Sequence, residues 1–256
     1  MSRSFLQDLV GVFGDPVAEN PTQAMVEAAF AAMGLDWRYL TVEVRAENLG
    51  DAVRGARAMN WRGFNCTIPH KVAVIEHLDQ LTPTARTIGA VNCVVIEDGK
   101  LVGDNTDGKG FLQSVAEVRR VTDMHTVILG AGGAARAIAV ELALAGASRL
   151  TVVNRDAARG QILAALVRDR TGVPATFVKW EAIYHVPPDA DLLVNATPIG
   201  LFPDTDARVP IEPDSLGAGV LICDLIPNPR RPDSSAPPKP VAVRRSTASE
   251  CSSTKA

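Results

Sequence analysis

The sequence predicts a two-domain α/β fold: an N-terminal α/β domain over about 1–107, a doubly wound parallel sheet over about 108–229, and a disordered tail over 230–256. Three observations predict it. Apolar runs of strand length alternate with helical periodicity from the start of the chain. An apolar run at 126–129 leads straight into Gly130-Ala131-Gly132-Gly133-Ala134 and an alanine-rich helix. A further strand at 150–153 follows after a helix of ordinary length.

Taken in order, residues 9–13 read as a buried strand, which Gly14-Asp15-Pro16 turns into a loop ending at Thr22, a plausible helix N-cap. The helix that follows places Met25, Ala28, Ala29, Ala32 and Met33 on one apolar face before Gly34 stops it. Residues 37–44 form a second strand, and Leu49, Val53, Ala56 and Met59 mark the apolar face of a second helix. This β-α-β-α opening calls for a parallel sheet. A third strand at 63–67 runs into Pro69-His70-Lys71 at the start of a helix continuing through Leu78. A lysine in a first helical turn gains nothing from the helix dipole, so Lys71 is either a solvated surface residue or is placed there for chemistry. Thr82-Pro83 is an N-cap and first-turn pair for a helix to Ile88. Segments 90–96 and 101–103 flank Asp98-Gly99, a strong hairpin signal. The polar run Asp104-Asn105-Thr106-Asp107-Gly108 then opens a helix toward Val118, where Asp107 either caps the helix or does chemistry.

The glycine turn has a physical reading. Gly130 permits a tight exit from the strand, Gly132 lets backbone N–H groups approach a pyrophosphate, and small Ala135 lets the helix pack closely on the sheet. A bound phosphate would sit at the helix N-terminus, which completes a Rossmann-type dinucleotide site. The next strand ends at Asn154-Arg155-Asp156, the tip that lies beside the adenosine ribose in such folds. There Arg155 and Arg159 suit a 2′-phosphate, whereas Asp156 either accepts from an unphosphorylated ribose or caps the next helix. The balance favours NADP over NAD.

Totals exclude several classes. The chain has 256 residues, 46% of them hydrophobic, enough for real cores in one large or two modest domains. A net charge of −3 without a basic stripe argues against nucleic acid as a partner. Cys66, Cys93, Cys223 and Cys251 show no C-x-x-C spacing and the histidines form no ligand pair, so no metal site is expected and reduced thiols in a cytoplasm explain the cysteines. The longest apolar stretch, 127–147, contains Arg136 and Glu141, and residues 1–14 lack the order of a signal peptide, so no membrane segment is expected.

Six motifs in this order resemble the shikimate dehydrogenase family over about 9–229. They are Gly14-Asp15-Pro16-Val17, Asn65-Cys66-Thr67-Ile68-Pro69-His70-Lys71, Gly89-Ala90-Val91-Asn92, Asn105-Thr106-Asp107-Gly108, the turn from Gly130 to Ala134, and Asn195-Ala196-Thr197-Pro198-Ile199-Gly200. The resemblance implies NADP-linked, reversible reduction of 3-dehydroshikimate to shikimate in aromatic amino-acid biosynthesis. The sequence itself leaves the oligomeric state, monomer or homodimer, open. The resemblance also implies a catalytic Lys71–Asp107 pair at the mouth of a cleft between the domains. Hydride delivered to a ketone leaves an alkoxide, so a proton donor must stand within reach of that oxygen. Which of the two is the kinetic acid stays open, because carboxylate and desolvation push a lysine pKa in opposite directions. The same resemblance assigns Asn65, Thr67 and Asn92 to substrate hydroxyls, and Asn195, Ala196 and Thr197 to the nicotinamide side.

The chain also departs from the family. Where the family usually has two serines gripping the substrate carboxylate, Asn20 and Thr22 stand, which retain an amide and a hydroxyl. A tyrosine expected to face substrate is replaced by Pro227. These changes open the alternatives of quinate or another relative of shikimate. From Pro232 onward the chain is Pro-, Ser- and Arg-rich without apolar periodicity, and a family stretch of the form Gly-Leu-Gly-Met-Leu-Val-x-Gln-Gly is missing. Back-translating 231–256 with free wobble bases and reading from the third base of each codon yields Thr-Arg-Leu-Val-Arg-Ala-Ala-Glu-Ala-Gly-Cys and then Asp-Gly-Leu-Gly-Met-Leu-Val-Asn-Gln-Gly. A one-base deletion near Arg231 accounts for that; coding DNA without such a frame excludes it. The rival reading from another class is a catalytically silent nucleotide-binding remnant, supported by this tail and the altered first loop.

Overall fold

The structure is a computed structural model describing residues 6–201, 204–226 and 242–245. These fall into two compact units, one ending at Thr106 and the other beginning at Asp107.

The first unit runs β1 (Asp8–Gly14), α1 (Thr22–Ala32), β2 (Trp37–Glu43), α2 (Leu49–Ala58), β3 (Gly63–Cys66), α3 (His70–Ala73), β4 (Gln80–Leu81), α4 (Pro83–Ile88), β5 (Cys93–Glu97) and β6 (Lys100–Asp104). Its sheet has the order β2-β1-β3-β5-β6-β4. β1 pairs in parallel with both β2 and β3, as the β-α-β-α opening requires, but β5 is antiparallel to β3 and to β6, so the sheet is mixed. The antiparallel half follows from the hairpin, whose Asp98 and Gly99 both take positive φ (49° and 72°) in the tight turn that joins β5 to β6. Its core is built on Phe13, Leu49, Val53, Ala56, Trp61, Phe64, Val91 and Leu101.

Four helix expectations are corrected. Thr22 is the first residue of α1 and not its cap; the cap position is Pro21, and Asn20 instead accepts from the Thr22 amide through Oδ1 at 2.9 Å. The apolar face named for α1 points outward, with Met25 58% and Met33 63% exposed, while Val26 and Phe30 pack inward against Val12, Val17 and Tyr39. With so many alanines, periodicity alone could not choose the buried side. Met59 likewise lies just past α2 and is exposed. Farther on, α3 is a single α turn that tightens into a 3-10 turn at Val74–His77.

The second unit runs α5 (Asp107–Ala116), β7 (His125–Leu129), α6 (Gly133–Leu144), β8 (Arg149–Asn154), α7 (Ala157–Thr171), β9 (Ala175–Lys179), β10 (Leu192–Asn195), β11 (Leu221–Asp224) and β12 (Ala242–Arg245). The order β12-β11-β10-β7-β8-β9 is parallel throughout except for β12, which is antiparallel to β11. β7 is buried at every position and reads His-Thr-Val-Ile-Leu, the near-continuous apolar strand expected when both faces are covered. Chain order reverses between β7 and β10, which makes the carboxyl ends of these two strands the topological switch point. The expected disordered tail lies outside the described residues, apart from β12, where an open sheet edge pairs with the segment Ala-Val-Arg-Arg. Pro227 also lies outside them.

At the amino ends of β7 and β8, buried His125 is held among charged groups. Its Nε2 lies 2.9 Å from Thr151 Oγ1, and an Arg149 guanidinium nitrogen lies 3.1 Å from its Nδ1. Asp189 sits 3.4 Å from the same nitrogen, and Asp191 accepts from the His125 amide. Burial, with the Arg149 guanidinium adding to it, holds the imidazole below its ordinary pKa. A histidine base whose folded pKa is depressed leaves the unfolded chain binding more protons, so stability is lost as pH falls through about 6.5. The melting temperature is therefore expected to drop more steeply between pH 7.5 and pH 5.5 in the wild type than in His125→Gln, as calorimetry at several pH values checks. Equal slopes would contradict the assignment.

Candidate active site

In the first unit the motif residues converge on one set of loops. α3 is anchored by His70, 1% exposed, whose ring Nε2 donates to the Val44 carbonyl at 2.6 Å. That fixes Lys71, the next residue, at the end of the loop leaving β3. The Lys71 carbonyl accepts from Val91 at 2.7 Å, which ties it to the segment carrying Asn92. Burial pushes the Cys66 thiol up to about 12, against the opposing pull of the Lys71 ammonium, so Lys71 is an electrostatic neighbour of the β3 end. At neutral pH Cys66 is thus a thiol and not a nucleophile.

Asn65 and Asn92 are held by hydrogen bonds within the unit. The Asn65 amide nitrogen donates to the Asn92 carbonyl at 3.1 Å, and its oxygen accepts from the Tyr39 hydroxyl at 2.8 Å. Asn92 donates through Nδ2 to Thr106 Oγ1 at 3.0 Å and accepts from the Thr106 amide at 3.0 Å. Thr67 donates its backbone N–H to Phe13 and accepts from His70, which leaves its half-buried side chain beside the Ile68–Pro69 cis bond. Asn20 and Thr22 form the turn entering α1 described above. In this way Asn65, Thr67, Lys71, Asn92 and Thr106 are brought together through named backbone and side-chain bonds, whereas Asn20 and Thr22 bond to each other and, through the Asn20 backbone amide, to the Val17 carbonyl.

In the second unit Asp107 is the first residue of α5, a position where a carboxylate is favoured by the helix dipole. Gly108 lets α5 approach α6 closely, since a Cβ there would lie 2.5 Å from the Ala137 carbonyl oxygen. The phosphate loop sits at the switch point. Gly130 has φ +107°, and a Cβ on it would lie 2.8 Å from the Ala196 carbonyl oxygen, so this turn requires glycine on both counts. Its partner loop is fixed by Asn195, 5% exposed, which donates to Asp224 at 3.0 Å and accepts from Thr197 Oγ1 at 2.7 Å. Ala196 N–H donates to the Leu129 carbonyl, which closes the two loops together.

These residues fit a dinucleotide. Gly132 is exposed at the N-cap of α6, and a Cβ there would meet nothing within 4 Å, so the open N–H groups of the first helical turn, at Gly133 and Ala134, are approachable by a phosphate. Ala131 is buried beneath the turn. At the tip of β8, Asn154 donates to the Asp156 carbonyl at 2.8 Å, and Asp156 caps α7 by accepting from the Arg159 amide at 3.1 Å. Of the two roles open to Asp156 it fills the capping one. Arg155 and Arg159 are exposed beside it; Arg159 pairs with the Asp156 carboxylate at 3.5 Å, and both guanidiniums stand at the solvent-facing tip. Sequence reasoning missed Tyr39, Thr106 and Asp224. The period-two pattern of β2 marks Tyr39 as inward-facing, but nothing in it signals the hydroxyl's partner.

A glycine turn at the switch point of a parallel sheet, joined in one chain to a second α/β unit carrying the lysine motif, defines the class of two-unit dinucleotide-linked oxidoreductases. Similarity to known proteins narrows the class. Residues 12–94 match the family described as the shikimate dehydrogenase substrate binding domain, and residues 113–230 match the one described as shikimate / quinate 5-dehydrogenase. The shikimate dehydrogenase (NADP(+)) of Methanothermobacter thermautotrophicus is 41% identical over 87% of this chain and 79% of its own. Among solved structures, the ligand-free 5-ketofructose reductase of Gluconobacter sp. strain CHM43 is 52% identical, with a TM-score of 0.78 over 88% of this chain and 80% of the other. The shikimate 5-dehydrogenase of Thermus thermophilus in complex with NADP(H) and shikimate is 34% identical, with a TM-score of 0.73 over 87% and 80%. The chain belongs to the shikimate dehydrogenase family. Among the described residues no helix is long and apolar enough to cross a membrane, and no group of three or more His, Cys, Asp or Glu side chains could hold a metal ion.

Proposed function

We propose that this chain is an NADP-linked carbonyl reductase that interconverts 3-dehydroshikimate and shikimate, working in the cytoplasm as a monomer or homodimer in aromatic amino-acid biosynthesis. The single observation that supports the reading is the hydrogen-bonded set of Asn65, Asn92, Thr106 and the Lys71 backbone, which brings a lysine and two carboxamides into one loop cluster. NADP, held by the turn from Gly130 to Ala134 with Arg155 and Arg159 on its 2′-phosphate, supplies or accepts the hydride. Asn154 supports that tip, and Asn195, Ala196 and Thr197 line the nicotinamide side. Lys71 stabilises the developing alkoxide and passes it a proton, and Asp107 orients and recharges Lys71. Asn65, Thr67 and Asn92 hold the ring hydroxyls, and Asn20 and Thr22 receive the carboxylate end.

A second reading, favoured by a specific observation, gives the same chemistry an uncharged substrate. The loop from Gly14 to Thr22 offers a carboxylate no cation, only the neutral donors of Asn20 and Thr22, and the 52% identical relative is named for a ketose. NADPH consumption with 3-dehydroshikimate, 3-dehydroquinate and 5-ketofructose separates the readings. Turnover of 3-dehydroshikimate above the other two supports the first, and turnover of 5-ketofructose alone moves the substrate to the ketose. NADPH binding without turnover of any of them leaves a silent nucleotide-binding protein and contradicts both.

A further inference from the structure

Tyr39 lies on β2, two strands away from Asn65 on β3, with β1 between them. The registers Val10↔Tyr39 and Val12↔Asn65 put all four residues on one face, since alternate positions of β1 share a face. The ring crosses beneath β1, packed on Val12 and Val10, and its hydroxyl reaches Asn65 Oδ1 at 2.8 Å. The residue is 2% exposed, and burial keeps the phenol protonated.

The direction of these bonds is fixed by chemistry. The Asn92 main-chain oxygen can only accept, so the Asn65 atom 3.1 Å from it must be the amide nitrogen. Asn65 Oδ1 therefore faces the tyrosine, and Tyr39 must donate. One amide hydrogen is spent on Asn92 and one oxygen lone pair on Tyr39, which leaves a single N–H donor and one lone pair in a defined orientation. The Asn92 carbonyl also accepts from the Cys66 amide at 2.9 Å, and the Asn92 side chain holds Thr106, the residue before Asp107. A buried phenol thus stands at the far end of a hydrogen-bond chain running through the proposed substrate loops.

We infer that Tyr39 is a positioning residue: by holding Asn65 Oδ1 it presets the carboxamide that meets a substrate hydroxyl. The inference rests on the functional reading above. Removing the hydroxyl takes the partner from a part-buried acceptor and lets the amide take other orientations. In Tyr39→Phe the KM for the turned-over ketone should rise about 3- to 10-fold, the size of one neutral hydrogen bond, with kcat changed less than about twofold and KM for NADPH unmoved. A double-mutant cycle with Asn65→Ala decides the matter, because a residue acting through Asn65 should add less than about twofold to KM in the Asn65→Ala background. Melting temperatures of all four proteins accompany the kinetics. Multiplicative KM effects, or a Tyr39→Phe protein with a lower melting temperature and unchanged KM, overturn the positioning role while leaving the function intact. A wild type that turns over neither 3-dehydroshikimate nor 5-ketofructose, or an Asn65→Ala protein with unchanged KM, overturns the functional reading and the inference with it.

Discussion

Lys71→Ala is expected to reduce kcat about 10²- to 10⁴-fold, the usual scale of general acid–base assistance, while the KM for NADPH barely changes. The expectation follows from where the residue stands. Its backbone is pinned by Val91, and the neighbouring His70 anchors α3 to the Val44 carbonyl, so the loop keeps these anchors when the lysine side chain is removed. Lys71 is half-buried in the single-turn helix α3. In the proposed mechanism, loss of the ammonium removes the group that meets the developing alkoxide and leaves the nucleotide unit unchanged. Steady-state kinetics on the purified variant, with a melting curve alongside, checks it. An equal collapse of turnover, NADPH affinity and melting temperature would mean that Lys71 serves the fold.

Arg155→Ala is expected to weaken NADPH about 10- to 100-fold, the value of a charge-assisted phosphate contact, with NADH affected far less. Asp156 is engaged as the cap of α7 through the Arg159 amide, so it does not compete for a ribose hydroxyl in the way an NAD-specific acid does. Affinities for the two reduced cofactors, measured by fluorescence titration of wild type and variant, give the ratio directly. Equal losses for both would argue that Asp156, and not the arginine, sets the preference.

Much of the nucleotide unit was legible in the sequence because its signals are local. A buried parallel strand is a continuous apolar run, a phosphate turn is a set of glycines at fixed offsets, and an Asp before a helix either caps or binds. Gly130 illustrates this, since its positive φ follows from the strand-to-helix turn that the residues spelled out, whereas its close approach to the Ala196 carbonyl, distant in sequence, came only with the fold. The first unit was harder. Its alanine-rich α1 offered no contrast between faces, and the exposed one was named. The mixed sheet became visible only through the Asp98-Gly99 hairpin. The hydrogen-bond partners of Asn65, Asn92 and Asn195 were not legible at all. They lie on strands and loops distant in sequence, such as Tyr39 and Asp224, and the type of an amide says nothing of which donor will find it. The motifs therefore gave the candidate residues, and the fold gave their hydrogen-bond partners.

The most direct test of the account is a crystal structure of the chain with NADP⁺ and shikimate bound, or with fructose if the ketose is turned over. The account predicts Lys71 Nζ within about 3.2 Å of the reacting hydroxyl oxygen, the Asp107 carboxylate beside it, and the nicotinamide ring against the same carbon. A complex in which the Lys71 and Asp107 side chains lie on opposite sides of the ligand, or away from its reacting carbon, would contradict it.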